Sequence, residues 1–245
     1  MRQFGLIGFP VLQSFSKAYF TEKFEKESLE AVYDLYPLED ISQFPELIQT
    51  HTFSGLNVTI PHKQAVIPFL DELDATAAEI GAVNVIRFIR RDGRLLLKGY
   101  NTDAIGFENS ILPHLKEQHK KALILGTGGA SRAIDYALRK NGLQTTFVSR
   151  SSSAGQLSYE ELTADSIQEY TVIVNCTPLG MYPAIDGYPD LPYEAITNKH
   201  LCYDVVYKPE ETLFLKKSKE MGATTINGLE MLWGQAAAAW LIWNS

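Results

Sequence analysis

Residues 121–139 constrain the fold more than any other stretch. Lys121-Ala122-Leu123-Ile124-Leu125 is short and apolar after its first residue, the pattern of a parallel strand buried on both faces. Gly126-Thr127-Gly128-Gly129-Ala130-Ser131 follows at once, and residues 132–139 have helical character. Strand, glycine-rich turn and helix in that order suit a pyrophosphate. Gly126 permits the tight turn, Gly128 has no side chain to block a phosphate, and the helix N-terminus presents unpaired N–H groups. The third small position of the usual fingerprint falls on Ser131, so the strict glycine pattern fails and the strand–helix context carries the assignment.

Short apolar segments recur at 144–148, 172–175 and 201–206, with helical stretches between them, including 210–221. This alternation predicts a doubly wound parallel sheet. In such sheets the end of the second strand meets the adenosine ribose: an acid there accepts from a free 2′-hydroxyl, an arginine accommodates a 2′-phosphate. Here the strand runs into Ser149-Arg150-Ser151-Ser152, with no acid. A solvated surface arginine is the plainer alternative, but a guanidinium flanked by hydroxyls favours NADP over NAD.

The first hundred residues read differently. Strands are expected at 4–7, 31–35 and 56–60, with helices at 17–24, capped by Ser16, and at 41–49. Ser14 and Ser16, two hydroxyls beside a helix start, form a candidate carboxylate site; capping alone is the plainer role. Pro61 suits the first position of a helix over 62–67, which puts Lys63 in its first turn, where the helix dipole repels a cation. A helix is expected at 71–80, then strands at 83–89 and 95–100 around an Asp92-Gly93 hairpin turn. Asn84 interrupts an apolar run and must find partners. Asp103 is placed to cap a helix over 104–112. The last helix, 229–243, has Trp233, Trp240 and Trp243 on one face, which reads as packing.

Composition narrows the class. A net charge of -7 argues against a nucleic-acid partner. No apolar run reaches the length of about 18 residues that a membrane span needs. The apolar start, Phe4 to Gly8, is too short for a signal peptide, so a cytoplasmic location is expected. Cys176 and Cys202 lie in apolar surroundings and read as reduced, buried thiols. No metal is expected.

Several motifs together resemble one family. Ser14-Phe15-Ser16, the run from Asn57 to Lys63, Gly81-Ala82-Val83-Asn84, Gly99 to Asp103, Gly126 to Ala130, the run from Asn175 to Met181, Asp204 to Tyr207 and Gly228 to Gln235 occur in the order seen in shikimate dehydrogenases. The resemblance spans nearly the whole chain, and Asn57 to Lys63 with Asn101-Thr102-Asp103 are its most specific parts. It implies an α/β protein of two domains with a cleft between them. Residues 1–103 would form a substrate-binding and catalytic domain and 104–226 a Rossmann-like NADP domain. The helix in 227–245 would pack back on the first domain.

The resemblance also implies an activity: reversible NADPH-dependent reduction of 3-dehydroshikimate to shikimate, in aromatic amino-acid biosynthesis. Ser14 and Ser16 would hold the substrate carboxylate. Thr59, Lys63, Asn84, Asp103 and Gln235 would contact the ring hydroxyls, with Tyr207 nearby. Lys63 and Asp103 would be the catalytic pair. Gly126, Gly128, Gly129 and Ala130 would hold the pyrophosphate, and Ser149, Arg150 and Ser151 the 2′-phosphate. Thr177, Val205, Gly228 and Met231 would surround the nicotinamide and its ribose. Lys17 stands where a proline often follows the second serine, and Ser149-Arg150-Ser151 replaces the usual Asn-Arg-Thr. A monomer or homodimer is expected. The rival readings are a dehydrogenase that also takes quinate or NAD, a tetrahydrofolate-type dehydrogenase of similar architecture, and a non-catalytic nucleotide-binding regulator. The paired serines with Arg150, and Lys63 with Asp103, argue against them.

Overall fold

The computed structural model describes residues 1–11, 14–151 and 155–245; Ser152 of the arginine loop lies outside these. The chain divides into two compact units, residues 1–102 with 235–245, and residues 103–234.

The first unit contains β1 (Arg2–Gly8), α1 (Phe15–Lys26), β2 (Ala31–Pro37), α2 (Phe44–Thr50), β3 (Phe53–Val58), α3 (His62–Ala65), β4 (Glu72–Leu73), α4 (Ala75–Ile80), β5 (Val85–Arg91) and β6 (Arg94–Tyr100). Its sheet has the order β2-β1-β3-β5-β6-β4. β1 runs parallel to β2 and β3, whereas β3, β5 and β6 pair antiparallel. Strand alternation feeds two cores. Phe4, Leu6 and Val85 face one cluster with Phe20 and Phe24, while Ile7, Val58 and Ile86 face another with Phe44 and Phe53. The hairpin turn is as expected, Arg91 opposite Arg94 with Asp92 and Gly93 both at positive φ, the pattern of a type I′ turn.

The second unit contains α5 (Asp103–Ile111), β7 (Lys121–Leu125), α6 (Gly129–Lys140), β8 (Gln144–Ser149), β9 (Gln156–Ser158), α7 (Ala164–Glu169), β10 (Val172–Asn175), β11 (Leu201–Asp204), α8 (Leu213–Glu220) and β12 (Thr224–Ile226). The last helix, α9 (Leu229–Trp243), begins in the second unit and ends in the first. The sheet is parallel throughout, in the order β12-β11-β10-β7-β8-β9. Numbered within the unit this is the doubly wound order, and it reverses between β7 and β10, where such sheets bind a dinucleotide. Ala122, Ile124, Val172 and Val174 pack on one face and Leu123, Leu125 and Ile173 on the other, which is why these strands are apolar at every position. Two buried histidines tie loops together. His119 Nδ1 accepts the Lys116 N–H at 3.0 Å and its Nε2–H donates to Lys199 O. His200 Nδ1 accepts the Thr197 N–H and its Nε2–H donates to Ile167 O.

Several expected boundaries move. Ser14, not Ser16, caps α1: its backbone is extended and its Oγ accepts the Ser16 N–H. The helix expected over 71–80 shortens to α4, because Asp71 exchanges hydrogen bonds with Leu97 and Asp74 caps the helix through the Thr76 N–H. Asp103 is the first residue of α5 rather than its cap. Pro61 precedes α3 instead of opening it. The tryptophans also separate: Trp240 and Trp243 pack against Phe4 in the first unit, whereas Trp233 is 48% exposed.

Candidate active site

In the second unit the expected coenzyme residues lie at the carboxyl ends of β7, β8, β10 and β11, with Gly228 and Met231 at the start of α9. Gly126, at φ +104, turns the chain out of β7. A methyl group there would sit 3.3 Å from Thr177 Cγ2, so the glycine turn and the loop after β10 are in close approach. A methyl group at Gly128 would meet nothing within 4 Å beyond its own chain neighbours. Packing therefore does not require glycine at 128, and the open surface is what a phosphate needs. Gly128 is also the cap position of α6 and supplies no side-chain hydrogen bond to its first turn, which leaves the helix end to an anion. Ser131 fits the third small position because its hydroxyl donates to Gly128 O at 2.6 Å. Ser149 is half-buried, and Arg150 and Ser151 are exposed just past β8. The open glycine turn and the uncapped start of α6 fit a pyrophosphate.

A buried polar relay lies beside the turn. Asn175 Oδ1 accepts the Thr177 N–H at 3.0 Å and the Thr177 hydroxyl at 2.7 Å. Its Nδ2 donates to Asp204 Oδ1 at 3.0 Å. Asp204, fully buried, also accepts the Val206 N–H and the Thr212 hydroxyl. Burial pushes its carboxyl up to about 6, against the pull of the three donors. Gly228 packs so tightly on Val205 O that a side chain would overlap it, and Met231 is buried in the adjacent core. Tyr207 is half-buried, and burial raises its phenol. Burial likewise raises both thiols, Cys202 to about 12; neither cysteine forms a disulfide.

The first unit holds Ser14, Ser16, Thr59, Lys63, Asn84 and Gln235, while Asp103 opens the second, one residue past the Thr102 that bonds Asn84. Asn84 lies just before β5, with Oδ1 accepting the Thr102 N–H at 2.7 Å and Nδ2 donating to Thr102 Oγ1. Its carbonyl accepts from Asn57 Nδ2, and Asn57 Oδ1 accepts the buried Tyr33 hydroxyl at 2.7 Å. Burial raises the Tyr33 phenol, with a hydrogen bond to Ser16 opposing it. Asn57 thus connects Tyr33 to Asn84. Thr59 is set by its N–H on Ile7 O, and Lys63 by its carbonyl, which accepts the Val83 N–H at 2.7 Å. His62 is a packing residue, buried and donating through Nε2 to Leu38 O. The helix bearing Lys63 is one turn long, so its first and last turns coincide and the expected repulsion by a helix dipole does not apply.

Asn57, Asn175 and Asp204 stand in the motifs that carry the resemblance, but the sequence shows neither the relay of Asn175, Asp204 and Thr212 nor the Tyr33–Asn57 link. The available signal was a polar residue ending an apolar strand, as in Val172 to Asn175 and Leu201 to Asp204. Among the described residues no three metal-ligating side chains converge, and no helix is long and apolar enough to cross a membrane.

The family model for the shikimate dehydrogenase substrate-binding domain matches residues 6–86. The shikimate dehydrogenase (NADP(+)) of Desulforamulus reducens is 36% identical over 98% of this chain and 89% of its own length. The crystal structure of shikimate dehydrogenase from Aquifex aeolicus superposes with a TM-score of 0.87 at 35% identity, covering 100% of this chain and 92% of the other. That of Thermus thermophilus shikimate 5-dehydrogenase, in complex with NADP(H) and shikimate, gives 0.85 at 31% identity, covering 99% and 93%.

Proposed function

The chain belongs to the shikimate dehydrogenase family, and from that premise we propose that it reduces the ring ketone of 3-dehydroshikimate to shikimate with NADPH, reversibly, in aromatic amino-acid biosynthesis. The observation that carries this reading is the glycine turn at the switch point, with Gly128 open and the α6 end uncapped.

NADPH, when bound, supplies the hydride. Gly126, Gly128, Gly129 and Ala130 hold its pyrophosphate, and Ser149, Arg150 and Ser151 its 2′-phosphate. Thr177, Val205, Gly228 and Met231 shape the place of the nicotinamide. Ser14 and Ser16 donate to the substrate carboxylate. Thr59, Asn84, Gln235 and Tyr207 contact the ring hydroxyls. Hydride arrival puts negative charge on the ketone oxygen. Lys63 stabilises that charge as a cation and gives the oxygen a proton, then regains one from solvent. Asp103 orients the ammonium and accepts from the reacting hydroxyl.

The test follows the near-ultraviolet absorbance of reduced coenzyme with shikimate and NADP, and in parallel with quinate and with NAD. Turnover strongest with shikimate and NADP is expected. Absent turnover with retained NADPH binding would make the chain a nucleotide-binding regulator, and a preference for quinate or NAD would move it within the family.

A further inference from the structure

We propose that Asp204 is a positioning residue for the nicotinamide half of the coenzyme site: through Asn175 and the Val206 N–H it fixes the two backbone segments that carry Thr177 and Val205. The inference rests on the role given above to those two residues.

The geometry runs in one direction. An amide has a donor end and an acceptor end and can be turned either way. An ionised carboxylate only accepts, so Asp204 selects the orientation in which Asn175 Nδ2 faces it. Asn175 Oδ1 is then turned toward the N–H and hydroxyl of Thr177. Thr177 Oγ1 in turn accepts the Leu179 N–H, which closes the loop after β10. On the other strand, Asp204 Oδ1 accepts the Val206 N–H, while the Val205 N–H donates to Asn175 O. Gly228 completes the clamp, its N–H on Val206 O and its α-carbon against Val205 O. The second carboxylate oxygen accepts the hydroxyl of Thr212, the residue that caps α8. One acceptor therefore anchors the ends of β10 and β11 to the start of α8.

The choice of residue matters. The hydrogen-bond partners of Asp204 are neutral donors, and a carboxylate buried without a cation is costly. An apolar side chain of similar size would fill the space at less cost, but it would leave Asn175 free to turn and Val206 N–H without its acceptor.

The test compares two ligands on the full chain. NADPH reaches the nicotinamide end; adenosine 2′,5′-bisphosphate carries only the adenosine end. For Asp204→Ala the Kd of NADPH is expected to rise about ten-fold, the size of one hydrogen bond involving a charged group. The Kd of adenosine 2′,5′-bisphosphate is expected to stay at the wild-type value. Asp204→Asn keeps a carbonyl acceptor for Asn175 and Val206 and is expected to recover most of the loss. If Asp204→Ala does not fold, Asn175→Ala cuts the same link and should show the same split between the two ligands. Equal weakening of both ligands, an unchanged Kd for NADPH, or no recovery in Asp204→Asn overturns the proposal. A wild-type chain that binds NADPH but does not turn over shikimate would count against the proposed reaction instead, and leaves the two failures distinguishable.

Discussion

Ser14 serves the chain through one oxygen in two ways. Its lone pair caps α1 by accepting the Ser16 N–H at 3.1 Å, and a hydroxyl that accepts still has a proton to donate, which the proposed function assigns to the substrate carboxylate. The two serines should therefore separate on mutation. Ser14→Ala is expected to raise the KM for shikimate and also to lower stability by about 1 kcal/mol, the cost of a lost cap, measured by urea unfolding. Ser16→Ala is expected to raise KM without the capping loss, because a carboxylate held by Ser16 as proposed would be bound alike in ground and transition states; a pure kcat loss would contradict this. Lys63→Ala is expected to lower kcat by about 10² to 10⁴ with folding intact, the range for a positioned acid–base group, and an active variant would remove Lys63 from that role. At this scale the sequence shows side chains but not their settings. Both serines were visible, yet which one caps depends on the extended backbone of Ser14, which hydroxyl spacing does not encode. The bond from Tyr33 on β2 to Asn57 on β3 joins two strands far apart in sequence and has no local signature.

Among elements, β3 and α9 are fitted to each other at Gly55. A side chain at that position would overlap the Trp243 indole, whose N–H donates to Ile86 O at 3.1 Å. Gly55→Ala is expected to destabilise by about 1–3 kcal/mol through overpacking. Combining it with Trp243→Leu should cost less than the sum of the two single changes, read from a double-mutant cycle; strict additivity would show that the two residues do not share the space. Elements with strong periodicity or a distinct turn were readable: β7, β10, α9 and the Asp92-Gly93 hairpin lie where sequence puts them. The segment 71–80 was not, because Asp71 and Glu72 pair with β6, a partner more than twenty residues away, and that pairing overrides local helix preference. The relay around Asp204 was hidden for a similar reason: its members lie on β10, β11 and the start of α8, and only the parallel register brings them together.

For the molecule as a whole, two buried groups set opposing pH responses. Burial holds His119 below its ordinary value, so the unfolded chain takes up a proton near pH 6.5 before the folded one does. The stability from neutral His119 is full above about 6.5 and is lost as pH falls through the folded value. Asp204, raised to about 6, acts the other way: its contribution is full below the unfolded carboxyl value of about 3.9 and is lost as pH rises through about 6. Between pH 7.5 and 5, His119→Gln is expected to flatten the fall in urea stability and Asp204→Asn to steepen it; an unchanged slope in both would remove these groups from the acid response. The division of the chain also bears on its manufacture. Residues 103–234 are contiguous, whereas the first unit draws on residues 235–245 as well, with Trp243 in its core. On the ribosome the usual order, N-terminal unit first, should therefore be inverted. Nascent chains stalled before Gln235 are expected to be protease-resistant over 103–234 while residues 1–102 are still digested, the first-made part of the protein being the last to finish folding.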